Sequence, residues 1–252
     1  MPVIGILGLG EAGGTIAADL RAAGAVVRGY DPLPETRPDV PSPTVAVADA
    51  DVVVSLTTAA EAVAAARSVL AALRRGQIYA DANTSSAALK RELAALLAPT
   101  GAEFADVALM APVPGRGVRT PAVASGPGAA AFAEHLGAFG MPVTVLPGPP
   151  GTAATRKLLR SVGWKGVAGV VNEALAAARA AGVERWMRGE LLDLFRTCDD
   201  QALTRMEQGS RRHARRRAHE MADVAALLRE LGVPPHLAEA ARLQLEELER
   251  AQ

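Results

Sequence analysis

Cysteine, aromatic residues and long apolar runs are all scarce in this sequence of 252 residues. The single cysteine, Cys198, excludes an internal disulfide and a cysteine-based metal cluster, and we predict no metal site. Aromatic residues make up 3% of the chain whereas 54 residues are alanine, which predicts a core of small, closely packed aliphatic side chains. No apolar run approaches the roughly 18–20 residues that span a bilayer, and no basic segment typical of a signal peptide opens the sequence. We therefore expect a cytoplasmic protein without a membrane segment.

Lysine is scarce as well. Basic and acidic residues balance at 27 each, which argues against a nucleic-acid partner. Only three of the basic residues are lysines, namely Lys90, Lys157 and Lys165. Arginine stays protonated in proteins, whereas a buried lysine can lose its proton near neutral pH. A lysine in this arginine-rich background therefore points to chemistry, and two of the three lie in one segment.

Residues 1–147 alternate short β-rich runs with helical stretches rich in alanine and leucine, interrupted once by a proline-rich loop from Pro32 to Pro43. Strands are predicted at Val3–Leu7, Val26–Tyr30, Val52–Leu56, Gln77–Asp81, Glu103–Leu109, Ala122–Ser125 and Val143–Leu146. Helices are predicted at Ala12–Ala23, Ala60–Leu73, Ala87–Leu97 and Ala129–Phe139. This alternation is typical of βαβ units, so it predicts an α/β fold with a doubly wound, mainly parallel sheet.

The composition changes at the proline- and glycine-rich cluster 147–151, which predicts a domain boundary between residues 1–150 and 151–252. Helices are predicted beyond it at Thr152–Ala181, Glu184–Met206, Arg215–Leu231 and Pro235–Arg250, with Gly182, Gly209 and Gly232 at their junctions. An all-helical domain of about 100 residues with so long a first helix is short for a self-sufficient bundle. We therefore expect it to be buried against a second copy, which makes the protein a homodimer through this domain.

A glycine-rich segment joins the first predicted strand to the first predicted helix. Gly8, Gly10 and Gly13 match the pattern G-x-G-x-x-G, with Glu11 and Ala12 between them. In a dinucleotide-binding loop the first glycine permits the tight turn, the second lets the backbone approach the pyrophosphate, and the third allows close packing of helix on strand. The alternative is an ordinary glycine-rich turn.

Asp31 ends the second predicted strand, 18 residues after Gly13. A carboxylate at this point accepts hydrogen bonds from both ribose hydroxyls of NAD and repels the 2′-phosphate of NADP. Asp31 therefore favours NAD. NADP stays open because Arg37, on the following loop, could reach a 2′-phosphate.

Several further segments resemble a known family. Val53–Thr57, Asp81–Ser85 and the Gly151…Lys157 segment look like the β-hydroxyacid dehydrogenase superfamily, which includes 6-phosphogluconate and 3-hydroxyisobutyrate dehydrogenases and, more distantly, imine reductases. Ala111–Gly117 and His213–Met221 resemble a branch called phosphogluconate-dehydrogenase-like. The resemblance covers the whole chain in order. It implies an NAD(P)-binding Rossmann domain followed by an all-α dimerisation domain.

The family's catalytic motif reads G-x-G-x-x-x-K-x-x-x-N, and this sequence has Gly151, Ala153, Lys157 and Ser161 at those four positions. The resemblance implies that Lys157 gives or takes the proton of the substrate hydroxyl or carbonyl, with Ser161 as its orienting partner in place of asparagine. A lysine in a desolvated cleft suits this role because its pKa can fall toward neutrality. The alternatives are a solvated surface lysine at 157, or Lys165 as the proton donor.

The resemblance also implies that Asn83 and Thr84 contact the cofactor. Thr57 and Thr58, at the end of the preceding predicted strand, are further candidates for the cofactor loop. Capping of the following helix by Thr84 or Ser85 is the alternative for that loop.

Substrate binding is implied for four basic residues. Arg116 stands where related dehydrogenases bind substrate with a Ser-Gly-Gly turn, and a solvent-facing loop arginine is the alternative. The run 211–217 contains His213 and Arg216, whose side chains could bind a substrate anion in their own or the opposite subunit. The alternative is a solvated charged face. Nucleic-acid binding is disfavoured because no aromatic residues lie between the basic ones. Lys165 is the fourth candidate.

These observations predict an NAD(P)-dependent oxidoreductase that transfers a hydride between nicotinamide and a small hydroxy or keto substrate, an acid or other anion. Two alternatives stay open. Imine reduction occurs on the same fold with other residues at the lysine position. A non-catalytic dinucleotide-binding sensor or scaffold is favoured by the departures from the motif at Ala153 and Ser161.

Overall fold

The structure is a computed structural model that describes residues 2–252. Seven strands form one sheet: β1 (Val3–Leu7), β2 (Val26–Tyr30), β3 (Val52–Ser55), β4 (Ile78–Asp81), β5 (Glu103–Leu109), β6 (Ala122–Ser125) and β7 (Val143–Val145). Their spatial order is β2-β1-β3-β4-β5-β6-β7, and every neighbouring pair is parallel except β5 with β6. The predicted α/β class and mainly parallel sheet are confirmed.

Helices cover both faces of this sheet, since two apolar clusters lie on its opposite sides. They are α1 (Glu11–Ala22), α2 (Pro43–Val47), α3 (Ala62–Val69), α4 (Ala87–Leu97) and α5 (Ala129–Gly137). Strands β3 and β4 are buried along their whole length, as expected of central parallel strands. The sequence did not predict α2, because this short helix directly follows the proline-rich loop. Ser42 caps it by accepting a hydrogen bond from the Val45 amide.

The helical part contains α6 (Thr152–Ala180), α7 (Glu184–Arg196), α8 (Asp200–Arg212), α9 (Ala214–Glu230) and α10 (His236–Arg250). The single helix predicted over Glu184–Met206 is wrong, because the Asp199 carboxylate accepts a hydrogen bond from the Ala202 amide and starts α8 there. Gly209 lies inside α8, so its prediction as a junction is also wrong. Gly182 and Gly232 have φ of +74° and +70°, as helix-ending glycines should.

The chain divides into two compact units, residues 1–160 and 161–252, whereas the sequence placed the boundary at residue 150. The first two turns of α6 go with the sheet unit because Ala153 and Ala154 are buried in it. As a border between domains that fold separately, residue 150 stays a prediction. None of the helices within residues 2–252 is long and apolar enough to cross a bilayer.

Glu173 joins two helices of the 161–252 unit. Its carboxylate accepts hydrogen bonds from the Leu237 and Ala238 amides, at 2.7 and 2.8 Å, in the first turn of α10. Those amides have no partner within the helix, and a negative charge there also favours the helix dipole.

We expect Glu173→Ala to lower the free energy of unfolding by about 1–2 kcal/mol. Urea denaturation followed by circular dichroism measures it. Glu207→Ala is the matched control, because it removes only an exposed pair with Arg211 and should cost a few tenths of a kcal/mol. Equal losses in the two variants would contradict the capping role.

Candidate functional site

The segment from the end of β1 to the first turn of α1 contains Gly8, Gly10 and Gly13, which lie in three different environments. Gly8 has a φ of +96°, and a Cβ atom there would lie 2.5 Å from the Leu56 carbonyl oxygen. At Gly13 a Cβ would lie 1.9 Å from the Gly8 carbonyl oxygen, so only glycine permits this packing of helix on strand. At Gly10 a Cβ would meet nothing within 4 Å. The loop is thus closely packed beneath and open above Gly10, as a pyrophosphate cradle requires.

The start of α1 completes this cradle. Gly10 is the N-cap residue, and no side chain of the described residues caps the helix through it. The first turn, which includes Glu11 and Ala12, therefore presents backbone N–H groups and the positive end of the helix dipole toward the open space. The residues present fit the phosphate groups of a nicotinamide dinucleotide.

Asp31 is buried immediately after β2 and holds the loop from one side. Its Oδ2 accepts a hydrogen bond from the Leu9 amide at 2.7 Å, and its Oδ1 accepts one from the Leu33 amide at 2.9 Å. Each carboxylate oxygen has a second acceptor position, so these bonds leave capacity for ribose hydroxyls. Thr57 lies beside the same loop: a Cβ atom added to Gly8 would lie 3.0 Å from the Thr57 amide nitrogen.

Lys157 and Thr84 are brought together although they are 73 positions apart in sequence. Lys157 lies in the second turn of α6, and its Nζ donates a hydrogen bond to Thr84 Oγ1 at 2.8 Å. Thr84 is exposed between two buried neighbours, directly beyond the carboxyl end of β4. In open α/β sheets, ligands bind outside the carboxyl ends of the strands, so this amine stands at the edge where chemistry is expected.

Asn83 is buried beside Thr84. Its Nδ2 donates to Asp81 Oδ1 at 2.5 Å and to Ser55 Oγ at 3.0 Å, while its Oδ1 is buried without a hydrogen-bond partner among the described residues. Ser85 Oγ is buried and unpartnered in the same way. Buried polar atoms normally have partners, so this edge is suited to a polar ligand. Capping by Thr84 or Ser85 is wrong: Ser86 caps α4 by accepting from the Leu89 amide.

Three charged side chains lie entirely inside the sheet unit below this edge. Lys90 Nζ, on α4, donates to Asp81 Oδ2 at 2.6 Å and to the Asp81 carbonyl oxygen at 2.7 Å, and it lies 3.5 Å from Asp106 Oδ1. Burial raises the pKa of Asp81, and the Lys90 ammonium offsets part of that rise.

The start of α6 is held by the same cluster. Asp106 Oδ2 accepts hydrogen bonds from the amides of Gly151 and Ala154, at 2.9 and 3.1 Å, and Ser125 Oγ donates to it at 3.1 Å. Ser125 Oγ in turn accepts from the Ala153 amide at 3.0 Å. Sequence reasoning assigned no role to Lys90, although the scarcity of lysine had drawn attention to it.

The candidate substrate residues lie in several places. Arg116 is exposed and lines a cavity of about 700 Å³ together with Asp19 and Ala22 of α1 and Ala23, the residue that follows this helix. Ser161 lies one helical turn after Lys157 in α6 and is the first residue of the helical unit. Lys165, one turn further on, is exposed.

The predicted pair His213 and Arg216 is brought together at the junction of α8 and α9. Both line a cavity of about 490 Å³, together with Arg212, Arg215, His219 and Glu249. Arg216 also forms an ion pair with Glu220, so part of its charge is compensated. Basic side chains outnumber the acidic side chain of Glu249 in this lining, and Arg215 lies 3.9 Å from that carboxylate.

Comparison with known proteins agrees with the fold and the loop. Residues 3–119 match the family described as the NAD binding domain of 6-phosphogluconate dehydrogenase, and residues 178–248 match a domain of unknown function, DUF1932. The first of these two matches lies wholly within the sheet unit of the chain. This unit is an NAD-binding domain.

Among curated proteins, the probable 3-hydroxyisobutyrate dehydrogenase of Mycobacterium tuberculosis is 37% identical over 134 residues, which are 50% of this chain and 44% of that protein. The chain therefore spans less than half the length of the curated relatives it matches.

Several solved structures match nearly the whole chain. A conserved hypothetical protein from Sinorhizobium meliloti is 29% identical, with a TM-score of 0.64 and coverage of 98% of this chain and 88% of that one. A conserved protein described as structurally similar to 3-hydroxyacid dehydrogenases is also 29% identical, with a TM-score of 0.64 and coverage of 98% of both chains. The imine reductase of Myxococcus stipitatus, solved with NADP+, has a TM-score of 0.83 at 20% identity and coverage of 99% and 95%, which shows a shared fold.

Proposed function

We propose that this protein is an NAD(P)-dependent oxidoreductase that transfers a hydride between nicotinamide and a small hydroxy or keto substrate, with Lys157 as general acid/base. The observation that carries the proposal is the 2.8 Å hydrogen bond between Lys157 Nζ and Thr84 Oγ1. It fixes the amine of a family-motif lysine at the carboxyl edge of an NAD-binding sheet. A bound nicotinamide dinucleotide supplies the hydride chemistry; the chain supplies the proton and the alignment.

In this proposal Lys157 Nζ gives a proton to the carbonyl oxygen during reduction and takes it from the hydroxyl during oxidation. Thr84 orients the amine through its hydroxyl. Ser161, one turn further along α6, replaces the family asparagine as a hydrogen-bonding partner of the substrate.

For the cofactor we propose that Gly8, Gly10, Glu11, Ala12 and Gly13 cradle the pyrophosphate. Asp31 then binds the ribose hydroxyls. Thr57, Asn83 and Thr84 complete the site on the nicotinamide side. Both oxygens of Asp31 already accept hydrogen bonds from backbone amides, which hold the carboxylate in place.

We expect NADH to bind at least about tenfold more tightly than NADPH, because a fixed carboxylate at this position repels a 2′-phosphate. Fluorescence titration of the protein with each dinucleotide measures the ratio. Asp31→Asn should reduce the preference for NADH over NADPH. Tighter binding of NADPH by tenfold would refute the preference for NAD.

We propose that the substrate is anionic, bound by some of Arg116, Lys165, His213 and Arg216. The cationic cavity shared by His213 and Arg216 supports a role for those two. We also propose a cytoplasmic location, which agrees with the exposed free thiol of Cys198.

We further propose a homodimer formed through the helical unit. The two tryptophans, Trp164 and Trp186, are 67% and 59% exposed in the single chain, and α7 buries none of its residues. Exposed apolar surface of this kind marks an interface. Light scattering should give twice the mass of one chain, and Trp186→Glu should shift it toward the monomer. A wild-type monomer at micromolar concentration would contradict the proposal.

Imine reduction is the second candidate, favoured by the full-length fold match to imine reductases. One experiment separates the candidates: NADH and NADPH oxidation at 340 nm with panels of keto acids and cyclic imines, and the reverse reaction with hydroxyacids. Turnover of keto acids or hydroxyacids supports the proposal, and turnover of imines alone supports the alternative. Tight dinucleotide binding without turnover of any compound favours a sensor or scaffold.

A further inference from the structure

The feature that the proposed chemistry does not use is the buried lysine of α4. Lys90 has no exposed surface, and it contacts two carboxylates that are also fully buried. Removing an ammonium and two carboxylates from water is costly, and apolar residues of similar size would often stabilise a fold as well. A role in stability alone therefore explains this arrangement poorly.

The two carboxylates that Lys90 contacts lead to the two partners of the Lys157–Thr84 hydrogen bond. Asp81 ends β4, three residues before Thr84, and both its carboxylate and its carbonyl oxygen accept from Lys90. Asp106 binds the amides of Gly151 and Ala154, which begin the helix that carries Lys157. Lys90 thus connects the loop after β4, through hydrogen bonds to Asp81, with the start of α6, through a 3.5 Å ion pair with Asp106 Oδ1.

We propose that Lys90 is a positioning residue that sets the contact between Lys157 and Thr84 by joining Asp81 to Asp106. The inference rests on the proposed function of Lys157. Ser125 belongs to the same arrangement, since its hydroxyl donates to Asp106 and accepts from the Ala153 amide. Lys90 touches neither substrate nor cofactor in this account, and it acts on the reaction only through geometry.

The chain has three lysines, so a protein labelled with ¹³C-lysine gives one Cε signal from each, and the Lys157 environment can be read without any substrate. Lys157→Arg and Lys165→Arg assign the signals.

In Lys90→Met we expect the Lys157 signal to move toward that of a solvated lysine while the Lys165 signal stays. With a turned-over substrate, kcat should fall by about 10- to 100-fold, because small displacements of a reacting group are costly, while the Kd of NADH changes less than about threefold.

Two further variants keep the test decisive. Arg91→Met is the matched control, since it removes an exposed cation from the next position of α4 and should leave the Lys157 signal and kcat unchanged. Ser125→Ala is a smaller change in the same cluster, because it removes the hydroxyl between Asp106 and the Ala153 amide. It should shift the Lys157 signal in the same direction, and an unshifted signal counts against the proposal even if Lys90→Met does not fold.

An unchanged Lys157 signal and kcat in Lys90→Met or Ser125→Ala, with only the melting temperature lowered, would overturn the positioning role. If the wild-type protein turns over no compound but the Lys157 signal shifts as expected, the positioning role stands and the proposed function fails.

Discussion

Lys157→Met is expected to lower kcat by about 10²- to 10⁴-fold, the usual contribution of a positioned general acid or base. Methionine keeps most of the length and apolar surface of the lysine stem, so α6 should stay in place. The Kd of NADH should change little, because the proposed pyrophosphate and ribose contacts lie on the glycine-rich loop and Asp31, and on the nicotinamide side only Thr84 loses a hydrogen bond. Steady-state rates at 340 nm with the best compound of the panel, together with a fluorescence titration, measure both quantities.

Arg156→Met is the control for Lys157→Met. Arg156 is the preceding residue of α6, it is exposed, and its loss removes the same charge. We expect its kcat to stay within about twofold of wild type, because charges on exposed surface contribute little at ordinary ionic strength. Equal loss in both variants would mean that α6 tolerates no change there. Unchanged turnover in Lys157→Met would show that Lys157 is not the general acid/base and would leave Lys165 as the candidate.

The second large effect concerns Gly10. We expect Gly10→Ala to weaken NADH binding at least about tenfold while leaving thermal stability within about 1 °C of wild type. The backbone of Gly10 has a φ of −62°, which alanine adopts readily, and the new methyl group meets no atom of the chain within 4 Å. It would project into the open space that the pyrophosphate needs. Calorimetric titration with NADH and a thermal melt measure the two effects.

Gly13→Ala is the matched opposite of this variant. Its Cβ would lie 1.9 Å from the Gly8 carbonyl oxygen, so the backbone must move and the melting temperature should fall clearly. The pair therefore separates the binding role of one glycine from the packing role of the other. Normal NADH affinity in a well-folded Gly10→Ala protein would show that the dinucleotide does not bind at this loop.

The sheet unit could be predicted from sequence because local signals there agree with one another. Alternating β-rich and helical runs gave β1, β2, β5 and β6 with their observed bounds. The glycine pattern also predicted which glycine would face open space. The helical unit was harder: a continuous helical pattern over Glu184–Met206 hid the capping residue Asp199, whose effect depends on a single side-chain hydrogen bond.

The buried cluster could not be predicted from one sequence. Lys90, Asp81 and Asp106 come from different elements, and the sequence shows neither their burial nor their pairing. Thr84 was named as a cofactor residue, yet its contact with Lys157 depends on how the start of α6 packs on the sheet unit. Such long-range polar contacts carry no periodic pattern, so only the folded structure reveals them.

The most direct test of the central claim follows a deuterium label from NADH deuterated at nicotinamide C4. The protein is incubated with this cofactor and with the keto acids and imines of the panel, and the masses of the products are measured by mass spectrometry. We predict a hydroxyacid product one mass unit heavier with the wild-type protein and at least about 10²-fold less of it with Lys157→Met. Bound NADH with no labelled product from any compound, or equal labelling by the two proteins, would contradict the account.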